Sequence, residues 1–241
     1  MLSDNVSLIT GGASGIGLAI AQKLHSLGTS VAITDFNGEM LKKACESMKH
    51  GLDVLAIEAD VRNPASAVGV CDKVLSRFGQ IDILVNSAGV SQRENVFLEN
   101  YIYDDFKRIM DTNVDGLLHM TCAVMKTMRQ RDSGYIINIL STAAYRTGSG
   151  GGMYAASKSA ARALTETLTD ECRGSGIRVS SISPGPVATN IWSHKAVPVS
   201  EERKNRMLSP RDIADIAAFL VCTDKNVHID NVTAAPWKSM D

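Results

Sequence analysis

Short apolar runs alternate along the chain with longer stretches in which apolar residues recur every three or four positions. The short runs are rich in Val and Ile and are apolar at successive positions, which is typical of strands buried on both faces of a parallel sheet. Strands are predicted at residues 6–10, 30–34, 54–59, 81–86, 135–140 and 178–182, with a seventh at 231–235.

The longer stretches separate these strands and have the periodicity of amphipathic helices. Helices are predicted at residues 16–26, 39–50, 64–78, 104–130, 154–175 and 210–222. Alternating strands and helices predict an α/β fold, a Rossmann-like doubly wound parallel sheet of about seven strands with helices on both faces. Since no Pro/Ser-rich or charge-rich stretch marks a linker, residues 1–241 are expected to form a single domain.

Composition narrows the class of partner. The 241 residues carry a formal net charge of -1, without the cluster of Lys and Arg that nucleic acids or anionic membranes require. The sequence starts without an export signal and has no segment apolar enough to span a bilayer, so we expect a cytoplasmic protein with a small-molecule partner. The five cysteines, together with His119, His194 and His228, lack metal-ligand spacing, so no metal site is expected.

A glycine-rich segment follows the first predicted strand and opens the first predicted helix. It reads Thr10-Gly11-Gly12-Ala13-Ser14-Gly15-Ile16-Gly17. Glycines let the backbone turn sharply and approach a pyrophosphate, whose charge is favoured by free N–H groups at a helix N-terminus. A tight turn without a ligand is the alternative, but strand, glycines and helix come in the order that a dinucleotide site requires. The candidate cofactor-binding residues here are Gly11, Ser14, Gly15, Ile16 and Gly17.

Polar or small residues follow the next three strands and are expected at the same edge of the sheet. Asp35 lies eighteen positions after Gly17, where a carboxylate can accept hydrogen bonds from both hydroxyls of an adenosine ribose. Since a carboxylate also repels a 2′-phosphate, Asp35 favours NAD over NADP as the cofactor. The further candidates for cofactor binding are Asp60, Val61, Asn86, Ala88 and Gly89, of which Asn86 taken alone fits a simple turn residue better.

A second group of residues carries a family resemblance. Tyr154-Ala155-Ala156-Ser157-Lys158 matches a YxxxK element, Ser141 lies thirteen residues before the tyrosine, and Asn113 lies within the predicted helix at 104–130. Together with the glycine-rich loop, these residues resemble the short-chain dehydrogenase/reductase family over nearly the whole chain. The resemblance implies an oxidoreductase that interconverts a secondary alcohol and a ketone or aldehyde by hydride transfer, with Asn113, Ser141, Tyr154 and Lys158 as the catalytic residues.

The spacing of the tyrosine and the lysine has a chemical reason. Residues four apart project from one face of a helix, so the Lys158 ammonium is expected beside the Tyr154 phenol. A neighbouring positive charge favours phenolate, so we expect a lowered pKa for Tyr154, which can then take a proton from an alcohol or return it to a carbonyl. Ser141 can hold the substrate oxygen. The resemblance further implies that Tyr154 and Lys158 contact the cofactor, and that Asn113 helps to hold a water on the proton path.

The segment after the sixth strand extends the resemblance. Ser183-Pro184-Gly185-Pro186-Val187-Ala188-Thr189 is similar to the family's PG element, which implies that Pro184, Gly185, Val187 and Thr189 contact the nicotinamide end of the cofactor. Ser87 departs from the family pattern, which usually has an Asn there. The helices at 104–130 and 154–175 resemble those that pair across family interfaces, which implies a homo-oligomer, most simply a tetramer.

The substrate is less well defined. Only about twenty residues separate Thr189 from Pro210, which predicts a small or open pocket. The tail from residue 227 to 236 resembles a branch that acts on small 3-hydroxy acids and related aldehydes or ketones, although that branch usually prefers NADP and Asp35 departs from it. Arg93 and Arg146 follow strands on the ligand edge, where each can pair with a substrate carboxylate or remain a solvated loop cation.

Two other functions share this fold. A non-catalytic sensor or scaffold binds the dinucleotide without turnover, but such proteins often lose the tyrosine or the lysine, and this chain has both. A nucleotide-sugar epimerase or dehydratase shares the Tyr/Lys pair but usually carries a larger C-terminal substrate domain, for which 241 residues leave little room.

Overall fold

The protein forms one seven-stranded parallel sheet in the strand order β3-β2-β1-β4-β5-β6-β7. The structure, a computed structural model, describes residues 2–48, 53–194 and 198–237. The strands are β1 Val6–Thr10, β2 Ser30–Asp35, β3 Val54–Glu58, β4 Ile83–Asn86, β5 Gly134–Ile139, β6 Ile177–Pro184 and β7 Asn231–Ala234. The predicted α/β fold with a parallel doubly wound sheet is therefore confirmed.

Helices connect the strands. They are α1 Gly15–Ser26, α2 Gly38–Ser47, α3 Pro64–Phe78, α4 Tyr103–Met110, α5 Gly116–Arg131, α6 Gly152–Cys172, the short α7 Glu201–Lys204 and α8 Pro210–Cys222. Each predicted helix has its counterpart among these eight. The end predicted for α2 at residue 50 lies outside the described residues.

Alternate side chains of the strands pack on opposite faces of the sheet. Leu8 contributes to a core cluster with α3 and α5, whereas its neighbour Ile9 contributes to a second cluster with α1 and α8. Both side chains are fully buried. Burial of a side chain of this size stabilises the fold by about 1.5–3 kcal/mol, which explains why both faces of the strands are apolar in sequence.

The predicted helix at 104–130 differs from the observed one. A π-helical segment, Asp111–Asp115, joins α4 to α5 without interrupting the helical path. Such a segment inserts an extra residue into the helix, and it commonly occurs at functional sites. The apolar periodicity of the sequence does not reveal it, because one extra residue changes the helical phase only locally.

The order of the strands sets the position of the ligand edge. The chain runs outward from β1 to β3 in one direction and from β4 to β7 in the other, so the switch point lies between β1 and β4. These two strands pair in parallel, with Thr10 opposite Asn86 at their carboxyl ends. Ligands of open α/β sheets bind outside this point.

Candidate active site

The loop after β1 has no room for a side chain at two of its glycine positions. Gly11 has φ +63°, and a Cβ there would lie 2.9 Å from the backbone of Ala88. A Cβ on Gly17 would lie 2.3 Å from the carbonyl oxygen of Gly11. The Thr10 hydroxyl accepts hydrogen bonds of 3.0 Å from the backbone N–H groups of Ser87 and Ala88, which ties this loop to the one after β4.

The N-terminus of α1 faces this loop with its backbone donors available. Ser14 stands at the cap position without a capping hydrogen bond from its side chain, and the first turn of α1 contains no acidic residue. The first N–H groups of a helix have no partner within the helix, and the helix dipole favours an anion near them. A diphosphate fits this loop for both reasons.

A cavity of about 770 Å³ extends from this loop along the carboxyl edge of the sheet. Ligand sites in proteins commonly have volumes of about 300–1,000 Å³, so its size suits a cofactor. The sequence-predicted residues that line it are Gly11, Ser14, Gly15, Ile16, Gly17, Asp35, Asp60, Val61, Ala88, Gly89 and Thr189. The sequence-predicted residues outside its lining are Asn86, Asn113, Ser141, Tyr154, Lys158, Pro184, Gly185 and Val187.

Asp35 lies at the end of β2 on the rim of this cavity. Its Oδ1 accepts a hydrogen bond of 3.1 Å from the backbone N–H of Asn37. Burial raises the pKa of Asp35, while backbone hydrogen bonds from Asn37, Ala13 and Phe36 act in the opposite direction. The carboxylate thus occupies the position at which the sequence expects a ribose-binding group.

Arg62 also lines the cavity, and the sequence analysis missed it. Its guanidinium binds the carboxylate of Asp60 through several hydrogen bonds, the shortest being 2.6 Å from Nη2 to Oδ2. The hydrogen bond from Arg62 lowers the pKa of Asp60. The positive charge of Arg62 is therefore balanced by a carboxylate two residues away, and no motif in the sequence reveals that pairing.

The side chain of Asn86 is directed into the core. Its Nδ2 donates to Thr121 at 3.1 Å and to the Oδ1 of Asn138 at 2.9 Å, and the residue is 4% exposed. The candidate role of Asn86 in cofactor binding is therefore not one for its side chain. Instead, this side chain joins β4 to β5 and α5. Successive residues of a strand point to opposite faces of the sheet, and Asn86 points to the face covered by α5.

Three of the four expected catalytic residues form a cluster at the carboxyl end of β5. Ser141 follows this strand and begins a 3₁₀ turn, Thr142–Ala144, where its Oγ accepts the backbone N–H of Ala143 at 3.1 Å. The Tyr154 hydroxyl is hydrogen-bonded to the side chain of Ser141. Lys158 Nζ lies 5.9 Å from the centre of the Tyr154 ring and donates a hydrogen bond of 2.9 Å to the carbonyl of Ile139.

Burial dominates the electrostatics of this cluster. It raises the pKa of Tyr154, and the hydrogen bond from Ser141 only partly offsets this effect. Burial also lowers the pKa of Lys158 to about 8. The expectation that Lys158 lowers the pKa of Tyr154 is wrong for this structure, because each group is penalised for its charged form by removal from water.

Asn113 lies in the π-helical segment and is 1% exposed. Its side chain accepts the backbone N–H of Val90 at 2.8 Å and donates to the carbonyl of Val90 at 2.9 Å. It also donates to Ser157 Oγ at 3.0 Å, and this hydroxyl donates to the carbonyl of Tyr154 at 2.8 Å. Asn113 therefore connects the loop after β4 to α6 between the tyrosine and the lysine.

Gly89 marks the point where the cavity meets the cluster. A Cβ on Gly89 would lie 3.3 Å from Asn113 Oδ1 and 3.6 Å from Lys158 Nζ. Because Gly89 lines the cavity, a group bound at this end would approach both side chains. Gly89 therefore connects the cavity at the glycine-rich loop with the Ser-Tyr-Lys cluster that lies directly behind it.

The loop after β6 closes the other side of the site. Thr189 approaches the glycine-rich loop, since a Cβ on Gly15 would lie 3.3 Å from the Thr189 side chain. The carbonyl of Val187 accepts a hydrogen bond of 2.7 Å from the indole N–H of Trp192. Trp192 belongs to the 3₁₀ segment Asn190–His194, three of whose residues also line the cavity.

The first turn of α4 contains a buried carboxylate, Asp105, that sequence reasoning did not find. Asp105 is 5% exposed and accepts hydrogen bonds from the Arg108 guanidinium, the shorter at 2.6 Å, and from the backbone N–H of Arg93 at 2.9 Å. Burial raises the pKa of Asp105, but these hydrogen bonds more than offset it and the pKa is lowered. Arg93 and Arg108 line the cavity, whereas the exposed Arg146 is not part of its lining.

The described residues show neither a metal-binding cluster nor a membrane-spanning helix. Among the described residues, no group of three or more His, Cys, Asp and Glu side chains is arranged to hold a metal ion. None of the helices in the described ranges combines the length and the apolar composition that a membrane crossing requires.

Comparison with known proteins identifies the family. The family model described as short chain dehydrogenase matches residues 5–197, which is most of the chain. The chain therefore belongs to the short-chain dehydrogenase family and is an oxidoreductase by class. The sequence-based resemblance to this family is confirmed.

Individual relatives cover nearly the whole chain. An uncharacterized oxidoreductase of Staphylococcus aureus (strain USA300) is 32% identical over 236 residues, which span 98% of this chain and 99% of the relative. The solved structure of NAD+-bound xylitol dehydrogenase matches with a TM-score of 0.88 and 30% identity, covering 98% of this chain and 99% of that one. The closed form of serine dehydrogenase complexed with NADP+ matches with a TM-score of 0.88 and 28% identity, covering 96% and 94%.

Proposed function

We propose that this protein is an NAD(H)-dependent oxidoreductase that interconverts a secondary alcohol and a ketone or aldehyde. The observation that carries the proposal is the Ser141-Tyr154-Lys158 cluster, which adjoins the Gly89 end of a cavity built on a glycine-rich loop. A proton-transferring group beside a dinucleotide site is the arrangement that alcohol and carbonyl chemistry needs.

The residues that would hold the cofactor follow from the lining of the cavity. Its diphosphate would lie at the N-terminus of α1 and its adenosine ribose at Asp35, with Asp60 and Val61 beside the adenine. Its nicotinamide end would lie toward Gly89 and the loop after β6, which carries Pro184, Gly185, Val187 and Thr189. The bound nicotinamide supplies or accepts the hydride.

The protein's own residues move the proton and orient the substrate. In the direction of reduction, the Tyr154 hydroxyl donates its proton to the substrate carbonyl oxygen, and in oxidation Tyr154 takes the proton of the alcohol. The Ser141 hydroxyl holds the same substrate oxygen, which keeps it within reach of Tyr154. Lys158, which lies beside the Tyr154 ring, would contact the cofactor. Asn113 positions the loop after β4 and would help to hold a water on the path to solvent.

Coenzyme choice rests on Asp35. A carboxylate at the ribose can accept from a free 2′-hydroxyl and repels a 2′-phosphate, so we propose NAD(H) in preference to NADP(H). Arg62 does not weaken this argument, because Asp60 already balances its charge. The similar solved structures include one with NAD+ and one with NADP+, so likeness alone leaves the choice of coenzyme to the residues.

We also propose a homotetramer in the cytoplasm. Support for assembly comes from exposed apolar side chains on elements around α4 and α5, among them Tyr103 and Leu118. Support for a reducing compartment comes from the five cysteines, all of which are free thiols. Light scattering at micromolar concentration tests the assembly, and a monomer would refute it.

The decisive experiment is a substrate panel. Hydroxy acids, polyols, sugars, steroids and acyl thioesters are each combined with NAD(H) and with NADP(H), and the nicotinamide absorbance is followed. Turnover that requires Tyr154 supports an enzyme, and a matched Tyr154→Phe variant provides the control. Tight binding of NAD+ without turnover across the whole panel would instead support a non-catalytic sensor.

A further inference from the structure

Gln92 lies in the loop between β4 and α4 and is only 2% exposed. A glutamine amide is strongly hydrated in water, and burial of such a group is unfavourable unless hydrogen bonds replace the lost water. The function proposed above gives this side chain no role.

The amide of Gln92 binds two parts of the chain far apart in sequence. Its Nε2 donates to the carbonyl of Glu94 at 2.9 Å within its own loop, and it also donates to the carbonyl of Gly150. Its Oε1 accepts the backbone N–H of Tyr154 at 3.2 Å. One side chain thus connects the loop after β4 to the segment that precedes α6 and to the first turn of that helix.

The start of α6 needs such a partner. Gly151 occupies the cap position and makes no side-chain capping hydrogen bond, since it has no side chain. Tyr154 is the third residue of the helix, and its N–H is one of the first donors, which find no carbonyl within the helix. In many helices a Ser or Asp at the cap accepts this bond. Here the acceptor comes from Gln92 in another element.

The segment before α6 gives little stiffness of its own. Residues 148–152 read Gly148-Ser149-Gly150-Gly151-Gly152, and glycine loses more backbone freedom on folding than any other residue. Gly150 adopts φ +74°, a left-handed conformation that glycine tolerates. The bond from Gln92 to the Gly150 carbonyl restrains this conformation directly before the helix begins.

We propose that Gln92 is a positioning residue that fixes the first turn of α6, and with it the Tyr154 hydroxyl, relative to the cofactor side of the site. The inference rests on the proposed function of Tyr154. Gln92 lies three residues after Gly89 and two after Val90, whose backbone Asn113 holds on both sides. The loop therefore carries the cofactor-facing surface at one end and the restraint on the proton-transferring residue at the other.

The test replaces Gln92 with Met, which has a similar length and no hydrogen-bonding amide. We expect kcat to fall by about ten- to a hundredfold, because a displacement of about 1 Å at a reacting group is enough for such a loss. The Kd for NAD+, measured by calorimetry, should change by less than about twofold, since Gln92 is not part of the cavity lining. Gln130→Met, at an exposed position near the end of α5, is the matched control.

A second readout does not depend on turnover. Hydrogen exchange of the Tyr154 backbone amide should become about tenfold faster in Gln92→Met, because the amide loses its acceptor. Exchange in β5 should stay as in the parent protein. If the Met variant does not fold, Gln92→Asn gives the same comparison, since it keeps an amide on a shorter side chain that falls short of Tyr154.

The possible results separate the two proposals. Faster exchange together with a lower kcat and an unchanged Kd for NAD+ supports the positioning role. Unchanged exchange at Tyr154 overturns it, and so does a lower Tm with kcat unchanged at 25 °C, which would mark Gln92 as a stabiliser of the loop alone. If the parent protein turns over no substrate of the panel, the proposed function fails, and the exchange rates still decide whether Gln92 fixes the start of the helix.

Discussion

The buried ammonium of Lys158 should destabilise the protein at neutral pH, and Lys158→Met should remove that penalty. Burial lowers the pKa of Lys158 from its ordinary value of 10.5 to about 8. At about 1.4 kcal/mol for each pH unit between these two values, the charged side chain costs about 3 kcal/mol of unfolding free energy at pH 6.5.

The pH dependence of this penalty has a definite sign. The unfolded chain keeps the Lys158 proton up to about pH 10.5, whereas the folded protein releases it near pH 8. Between these values the unfolded state binds more protons, so stability rises with pH. The penalty is complete below pH 8 and disappears above pH 10.5, and at pH 9.5 about 1 kcal/mol of it remains.

A lost hydrogen bond opposes the gain. Met cannot donate to the Ile139 carbonyl, which the Lys158 ammonium approaches to 2.9 Å. An acceptor left without its partner in a buried position costs about 1–2 kcal/mol. The net effect expected for Lys158→Met is therefore a gain of about 1–2 kcal/mol at pH 6.5 and no gain at pH 9.5.

Urea unfolding followed by circular dichroism measures this difference at both pH values. All proteins are compared at one protein concentration, because assembly would add to the apparent stability. Lys43→Met, at an exposed position of α2, removes the same charge without changing a buried group. The reasoning is refuted if Lys158→Met is less stable than the parent at pH 6.5, or if the difference between the two proteins is the same at both pH values.

Three further predictions concern the site itself. Tyr154→Phe should keep NAD+ binding and lose about 10²- to 10⁴-fold in kcat, and near-normal turnover would exclude Tyr154 as the proton-transferring group. Ser141→Ala should lose about tenfold, the equivalent of one hydrogen bond, and an unchanged rate would exclude its contact with the substrate oxygen. Asp35→Ala should lower the ratio of kcat/KM for NAD+ to that for NADP+ by about thirty- to a thousandfold. Because burial raises the pKa of Asp35, the same ratio should also fall with decreasing pH in the parent but not in this variant; a pH-independent ratio in the parent would argue against a ribose contact.

The fold could be predicted because its signals are local. Strands β1 and β4 are buried along their whole length, and β1 has the same bounds in the structure as in the sequence pattern, Val6–Thr10. Part of the glycine-rich pattern is also local, since Gly11 adopts φ +63° and a Cβ on Gly17 would meet the Gly11 carbonyl. By contrast, Asn113 in the π-helical segment is held by hydrogen bonds to Val90 in one direction and to Ser157 in the other. Neither partner is near it in sequence.

The residues missed by sequence reasoning share one property. Gln92, Arg62 and Asp105 are polar side chains in loops or at helix starts, where polar residues are ordinarily solvated. For Gln92 and Asp105, the role comes from burial and from a backbone donor outside the local sequence: the N–H of Tyr154 for Gln92 and the N–H of Arg93 for Asp105. For Arg62, it comes from the position of the residue on the cavity lining. Asn86 is the converse case, since it stands at the expected end of β4 but its side chain is directed into the core.

The Tyr-Lys pair shows most clearly what spacing can and cannot predict. Four residues of separation on a helix place Lys158 beside Tyr154, and the structure has them adjacent. Spacing does not specify how far the two side chains are removed from water. The extent of this removal decides which of their charge states are favoured. Because burial disfavours both phenolate and ammonium, Tyr154 retains its proton at neutral pH while Lys158 is charged only below about pH 8. In the role proposed above for Tyr154, this protonation state would suit proton donation in the direction of carbonyl reduction, whereas alcohol oxidation would require the ionised form of Tyr154.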